Sequence, residues 1–151
     1  MQKRQIVYCQ DESVYGDIHL TKRKAYEVFD VGVGTKKGKV RIRGDKDRLV
    51  WISDLYFSEN EIPKIKSITI DDRIDDPFND GVDVTVEFED NTARWLFFMT
   101  VKYLENRLDK DNDFFSGNKI IFVQEIREDL IKKTIEELDR TNELVENSQP
   151  C

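Results

Sequence analysis

The sequence has little of what catalytic and metal-binding proteins commonly use. It contains one histidine, His19, and two cysteines, Cys9 and Cys151, which lie near opposite ends of the chain. The single histidine argues against His-based catalytic dyads and multi-His metal sites. The distant cysteines indicate neither a disulfide framework nor a metal site. We therefore expect free thiols, no cofactor, no metal ligands and no catalytic residues, and an enzyme is disfavoured.

Long apolar runs are also missing. No run approaches the roughly 18–20 residues that a membrane-spanning helix needs, and the chain starts with polar residues rather than an apolar signal region. The expectation is a cytoplasmic protein without a membrane partner. Hydrophobic residues nevertheless make up 38% of the 151 positions. This content is sufficient for a buried core in one ordinary domain or two small ones.

Charge is distributed unevenly along the chain. Residues 1–56 contain 12 Lys and Arg against 8 Asp and Glu, a net charge of +4, whereas residues 57–151 contain 12 against 23, a net of −11. The change in composition and the polar residues before Pro63 predict a boundary near residues 59–63. The predicted organisation is a small domain over residues 1–58, a second domain over 63–146 and a flexible tail over 147–151.

The first segment is typical of a small β-barrel. Turn signals separate four β-rich runs spaced by about ten residues, at residues 6–9, 25–31, 39–43 and 48–52. In the third run, charged and apolar residues alternate, and this pattern places Val40 and Ile42 in the core. The opposite face carries a basic stripe of Lys39, Arg41 and Arg43.

The second segment predicts an antiparallel sheet covered by two helices, so the fold class is α+β. Strands are expected at residues 65–70, 82–88, 94–99 and 120–126. One helix follows Thr100, and the other spans residues 128–143 with Ile131, Ile135 and Leu138 on its apolar side. We expect Trp95 to fill the core and Phe97 to share its face.

An acidic loop joins the first two of these strands. It holds few apolar residues, and this composition predicts that the loop projects from the sheet into solvent. The functional hypothesis is that its carboxylates dock on a partner protein with a basic surface, with an aromatic side chain as the anchor. A solvated loop without a partner is the alternative. The candidate residues are Asp71, Asp72, Asp75, Asp76, Asp80 and the aromatic Phe78.

The basic stripe suggests a different partner. Lys39, Arg41 and Arg43 would contact either phosphates or an acidic protein. The net charge of −7 opposes association with nucleic acid at long range. A solvated strand face is again the alternative, and the sequence favours no oligomeric state.

Two parts of the chain resemble known families. Residues 65–145 resemble small bacterial immunity-type proteins, which occur beside polymorphic or contact-dependent toxins. This resemblance rests on residues 84–100, 103–104 and 120–123 and on Ile131, Ile135 and Leu138. Residues 4–57 are similar to the small Src-homology-type barrels of phage and bacterial proteins, through residues 20–28 and 51–52.

The resemblance implies a function. It indicates a noncatalytic immunity protein that neutralises a toxin by binding it and occluding its active site. Such inhibitors share no active-site motif, so no catalytic residue is carried over. The alternative is a phage or mobile-element accessory protein that binds nucleic acid, or a defence complex, through the basic face of the barrel.

Overall fold

The chain forms two compact units. The structure, a computed structural model, describes residues 1–12, 18–110 and 119–151. The N-terminal unit comprises residues 1–63 with 140–142, and the C-terminal unit comprises residues 64–139 with 143–151. Each unit has a hydrophobic cluster of its own. The main division along the chain falls after Pro63, at the end of the boundary region predicted at residues 59–63.

The N-terminal unit is a five-stranded antiparallel sheet in the order β4-β3-β2-β1-β5. Its strands are β1 (Ile6–Cys9), β2 (Ala25–Val31), β3 (Lys39–Arg43), β4 (Leu49–Ser53) and β5 (Phe57–Ser58). The mixed α+β class is confirmed, and β5 is a strand that the sequence does not predict. Among the described residues of this unit, no ladder joins the end strands β4 and β5. The predicted closed barrel is therefore not found.

One face of this sheet forms the core. Val28 on β2 and Val40 and Ile42 on β3 are buried, together with Val7 and Cys9 on β1. Since side chains alternate along a strand, the residues between these positions point to the opposite face. The unburied side of β3 is therefore the basic stripe, as its alternation predicts.

The C-terminal unit contains a mixed sheet, not the antiparallel sheet that the sequence predicts. Its strands are β6 (Ile65–Ile70), β7 (Gly81–Phe88), β8 (Ala93–Thr100), β9 (Ile120–Val123) and β10 (Gln149–Pro150). The main order is β10-β8-β7-β6, and β9 also pairs with β8, in parallel. A helix, α1 (Val101–Lys110), lies between β8 and β9 in the chain. Such a connection returns the chain in the same direction and makes the pair parallel.

Helix α2 covers one face of this sheet, and α1 packs against one end of the other face. In α2 (Glu128–Arg140), Ile131 and Ile135 are fully buried among the core residues of β7 and β8, which confirms the amphipathic pattern. On the other face, a Cβ at Gly81 would lie 3.1 Å from the Tyr103 ring of α1. The hydroxyl of Thr100 caps α1 by accepting the Tyr103 N–H at 3.2 Å. In the described part of the chain, no helix is both long and apolar enough to cross a membrane.

Residues 147–151 do not form the flexible tail that their composition predicts. Gln149 and Pro150 pair with Trp95 and Arg94 of β8, and Ser148 is almost completely buried. Leu144 packs into the core just before this segment. Because that contact brings the chain back to the sheet, its last residues add to the edge of β8 instead of fraying.

Candidate partner-binding site

The face of the C-terminal sheet opposite α2 combines acidic and aromatic side chains. On β7, Asp83 and Glu87 alternate with buried valines. On β8, Leu96 and Phe98 enter the core, so Trp95 lies on the opposite face and is half-buried. The prediction that Trp95 fills the core is therefore wrong. All five residues of the Trp-Leu-Phe-Phe-Met run are apolar, and alternation within such a run does not reveal which face is buried.

Three carboxylates meet on this face. The carboxylate of Asp72 accepts the backbone N–H of Asp83 at 2.7 Å, and that of Asp71 accepts the hydroxyl of Thr85 at 2.7 Å. The pKa of Asp83 is raised, first by partial burial and then by the negative charges of Asp72 and Asp71. In the part of the chain that the structure describes, no Lys or Arg forms an ion pair with these three residues. They form a concentrated negative charge.

Aromatic side chains lie beside this charge. In the β7–β8 register, Thr85 is opposite Trp95 and Asp83 is opposite Phe97. Phe122 of β9 is paired with Met99 and is 49% exposed. We call this patch the acidic-aromatic surface. It is formed by Asp71, Asp72, Asp83, Trp95, Phe97 and Phe122.

Most residues of the acidic loop are exposed, as its composition predicts, but the loop is held against the C-terminal unit instead of projecting freely. The carbonyl of Pro77 accepts the N–H of Ile126 at 2.6 Å, and the carbonyl of Asp80 accepts the N–H of Thr100 at 3.1 Å. Ile74 packs against the core. The loop is thus held at three points, because backbone carbonyls and one isoleucine supply the contacts that its composition does not suggest.

The loop carboxylates divide into two sets. Asp80 is half-buried and accepts the N–H groups of Asp75 and Gly81 at 3.0 and 2.9 Å, so it holds the loop in shape. Asp75 and Asp76 are exposed, and Asp75 pairs with the exposed Arg73 at 3.1 Å. Asp76 accepts the N–H of Phe78 at 3.0 Å, and the Phe78 side chain is 59% exposed. These last residues remain available to a partner.

The basic stripe lies in the N-terminal unit. Lys39, Arg41 and Arg43 are all exposed on the outer face of β3. Arg43 forms an ion pair with Asp47 at 2.9 Å, and its guanidinium lies 5.7 Å from the centre of the Phe29 ring. The predicted candidates therefore form at least two separate groups, one in each unit.

The sequence misses the three aromatic residues of the acidic-aromatic surface: Trp95, Phe97 and Phe122. A signal for the first two is present in the hairpin. The tight turn at residues 89–92 places Glu87 opposite Ala93 and, two residues further, Thr85 opposite Trp95. Extending the wet face of β7 across that turn would predict Trp95 on the same face. No comparable local signal places Phe122 beside β8.

The described residues include no group of three or more His, Cys, Asp or Glu side chains arranged to hold a metal ion. Comparison with family models, with curated proteins and with solved structures found no match for this chain. The fold and the two surfaces are therefore the basis for a functional proposal.

Proposed function

We propose that the chain is a noncatalytic inhibitor of the immunity type, which binds a basic partner protein and occludes its active site. The observation that carries this proposal is the group of Asp71, Asp72 and Asp83, in which partial burial and then the charges of Asp72 and Asp71 raise the pKa of Asp83. Like charges held together are unfavourable in the isolated protein. A cationic partner would relieve that repulsion, and the carboxylates are already oriented by hydrogen bonds.

The aromatic residues of the same surface supply the second component of an interface. Binding energy tends to concentrate in a few aromatic or Arg side chains surrounded by polar contacts. Phe122 is half exposed, and Trp95 is half-buried between its strand neighbours. Charge would accelerate the encounter and orient the partner, while these rings would be buried in the complex.

The best match for such a surface is an enzyme with a basic substrate cleft, such as a toxin that acts on nucleic acid. An acidic surface occupies this kind of cleft by charge complementarity, and it needs no reactive group of its own. As part of the proposal, the protein acts in the cytoplasm.

The test begins with the intact chain as bait in the native cell and continues with association rates against the captured protein. One variant combines Asp71→Asn, Asp72→Asn and Asp83→Asn, which removes charge and retains an acceptor oxygen at each position. The matched control combines Asp75→Asn and Asp76→Asn in the loop. At low salt the first variant should associate about tenfold more slowly or worse, and the control should change less.

The partner's own activity is the second readout. Stoichiometric wild-type chain should abolish it, and the triple variant should require a higher concentration. A partner whose activity is unaffected, or a triple variant with unaltered association rates, would contradict the proposal. Loss of binding on combining Lys39→Ala, Arg41→Ala and Arg43→Ala would instead move the site to the N-terminal unit.

A further inference from the structure

The outer face of the N-terminal sheet joins the basic stripe to aromatic rings. In the β3–β4 register, Lys39 is opposite Ser53, Arg41 is opposite Trp51 and Arg43 is opposite Leu49. Ile42 and Ile52 fill the core on the other side. Phe29 lies on the outer face of β2, next to Arg43. Trp51 and Phe29 are thus two strands apart, about 10 Å, with a row of cations between them.

Both rings present a π-face to cationic groups. The Lys36 ammonium lies 4.5 Å from the centre of the Trp51 ring, and the Arg43 guanidinium lies 5.7 Å from that of Phe29. Both rings are half-buried, and both cationic residues are exposed. A planar base could take the place of the flexible Lys36 side chain on Trp51. The displaced ammonium would then be free to contact a phosphate.

The remaining cations have no partners among the described residues. Neither Lys39 nor Arg41 forms a hydrogen bond or an ion pair there through its side chain. Asp30 lies opposite Arg41 on β2, but its carboxylate accepts the backbone N–H of Val31 at 3.1 Å. No direct contact therefore occupies the charged groups of Lys39 and Arg41 among the described residues, and both are available to a ligand.

We infer that this face binds single-stranded nucleic acid. Bases stack on Trp51 and Phe29, Arg41 contacts the phosphate between them, and Lys39 contacts the backbone just beyond Trp51. Stacking on aromatic rings combined with a positively charged track is how proteins hold single strands without sequence preference. The inference uses neither the acidic-aromatic surface nor its partner, and it stands or fails independently of the inhibitor function.

The rings favour a single strand over the other anionic partners. In a duplex the base faces are stacked internally and unavailable to a flat sheet. An acidic protein would use the cations but would gain little from two separated ring faces. The net charge of −7 opposes approach at long range. At about 0.1 M salt, however, screening limits that repulsion to about 10 Å, and the local stripe dominates.

The experiment measures fluorescence anisotropy of a labelled oligothymidylate, about 20 nucleotides long, with the full chain at about 0.05 and 0.2 M salt. Trp51→Ala should weaken binding about 5- to 150-fold. Trp51→Phe, which retains a ring, should restore most of the affinity. Arg41→Gln should reduce the salt dependence by about 0.7 in the slope of log K against log salt. Lys133→Gln on the exposed side of α2 is the charge control and should change neither quantity.

A second readout reports on Trp51 directly. In a Trp95→Phe variant the remaining tryptophan emission comes from Trp51, and saturation with oligothymidylate should quench it. The inference is overturned if no binding occurs at the lower salt or if Trp51→Ala binds as the wild type does. Equal affinity for a duplex of the same length would overturn it in favour of general phosphate binding. Equally effective competition by polyglutamate would indicate an acidic protein partner.

Discussion

At the scale of single residues, Asp83 and Asp45 show how different surroundings act on a carboxylate. Asp83 lies beside Asp71 and Asp72, and its pKa is raised by partial burial and by their charges. Burial also disfavours the charged form of Asp45, but hydrogen bonds from Lys24, Thr21 and the Tyr26 hydroxyl outweigh it and lower its pKa. The charge of Asp83 is therefore close to other negative charges, whereas the charge of Asp45 is stabilised by hydrogen bonds from three side chains.

The two shifts have opposite consequences for stability. Asp45 contributes stability above its unfolded pKa of about 3.9, and that contribution disappears as the pH falls through its lower folded value. For Asp83 the folded pKa is the higher one, so ionisation is less favourable in the folded protein. Its charge therefore reduces stability at neutral pH, and this cost disappears as acidification protonates the group in both states.

We predict that Asp83→Asn stabilises the protein slightly at pH 7, by up to about 0.5 kcal/mol. The substitution removes the charge and keeps the shape, so the gain should vanish at a pH below both the folded and unfolded pKa values. Urea unfolding at both pH values provides the measurement. In an Asp72→Asn background the gain should be smaller, because one source of repulsion is absent. A loss of stability at pH 7 would show that the Asp83 charge is compensated.

At the scale of elements, β8 is the strand on which three others assemble in the C-terminal sheet. β7 pairs along one edge of β8. The other edge is shared, because β9 pairs with Phe97–Thr100 and β10 pairs with Arg94 and Trp95. Arg94 holds β10 in place. Its Nε donates to the Ser148 hydroxyl at 2.5 Å, and its Nη2 donates to the carbonyls of Val145 and Ser148 at 3.1 and 3.0 Å.

We predict that Ser148→Ala destabilises the protein by about 1–3 kcal/mol, because it leaves the Arg94 Nε–H without its partner in a partly buried place. The hydroxyl also donates to the Leu144 carbonyl at 2.5 Å, and that bond is lost as well. The measurement is the free energy of unfolding in urea. Glu146→Ala, at an exposed position of the same segment, serves as the control and should stay within about 0.5 kcal/mol. Equal effects of the two substitutions would indicate a frayed C-terminus.

At the scale of the whole molecule, the chain separates its charges between two surfaces. The acidic-aromatic surface belongs to the C-terminal unit, and the basic stripe belongs to the N-terminal unit. Each surface contains aromatic rings beside its charges. The uneven charge of the sequence thus corresponds to two surfaces that suit oppositely charged ligands.

We predict that the two surfaces act independently. The combined Asp71→Asn, Asp72→Asn and Asp83→Asn substitutions should slow association with the basic partner and leave oligothymidylate binding intact. The combined Lys39→Gln and Arg41→Gln substitutions should have the reverse pattern. Parallel measurements at matched ionic strength test this, since screening confines each effect to its own neighbourhood. If each variant affected both ligands, net charge rather than a defined face would control binding.

Local patterns in the sequence were sufficient for most elements. The buried side is identified by strict alternation in β3 and β7 and by helical spacing in α2. Side chains return to the same face every second residue in a strand and every three to four residues in a helix. The exposed positions of Lys39, Arg41 and Arg43 and the burial of Ile131 and Ile135 follow from this alone. The carboxylates of residues 71–80 were likewise identifiable as candidates, although their contacts were not.

The remaining features depend on residues far apart in the chain. The side of β8 that is buried is set by packing against α2, because its apolar run offers no contrast between faces. The pairing of β9 and β10 with β8 joins segments that lie far apart in the sequence. The proximity of Asp71 and Asp72 to Asp83 requires the β6–β7 ladder. The periodicity of a sequence segment indicates which of its residues share a face. Where both faces are apolar, only the packing of segments distant in the sequence determines which face is buried and which side chains come into contact.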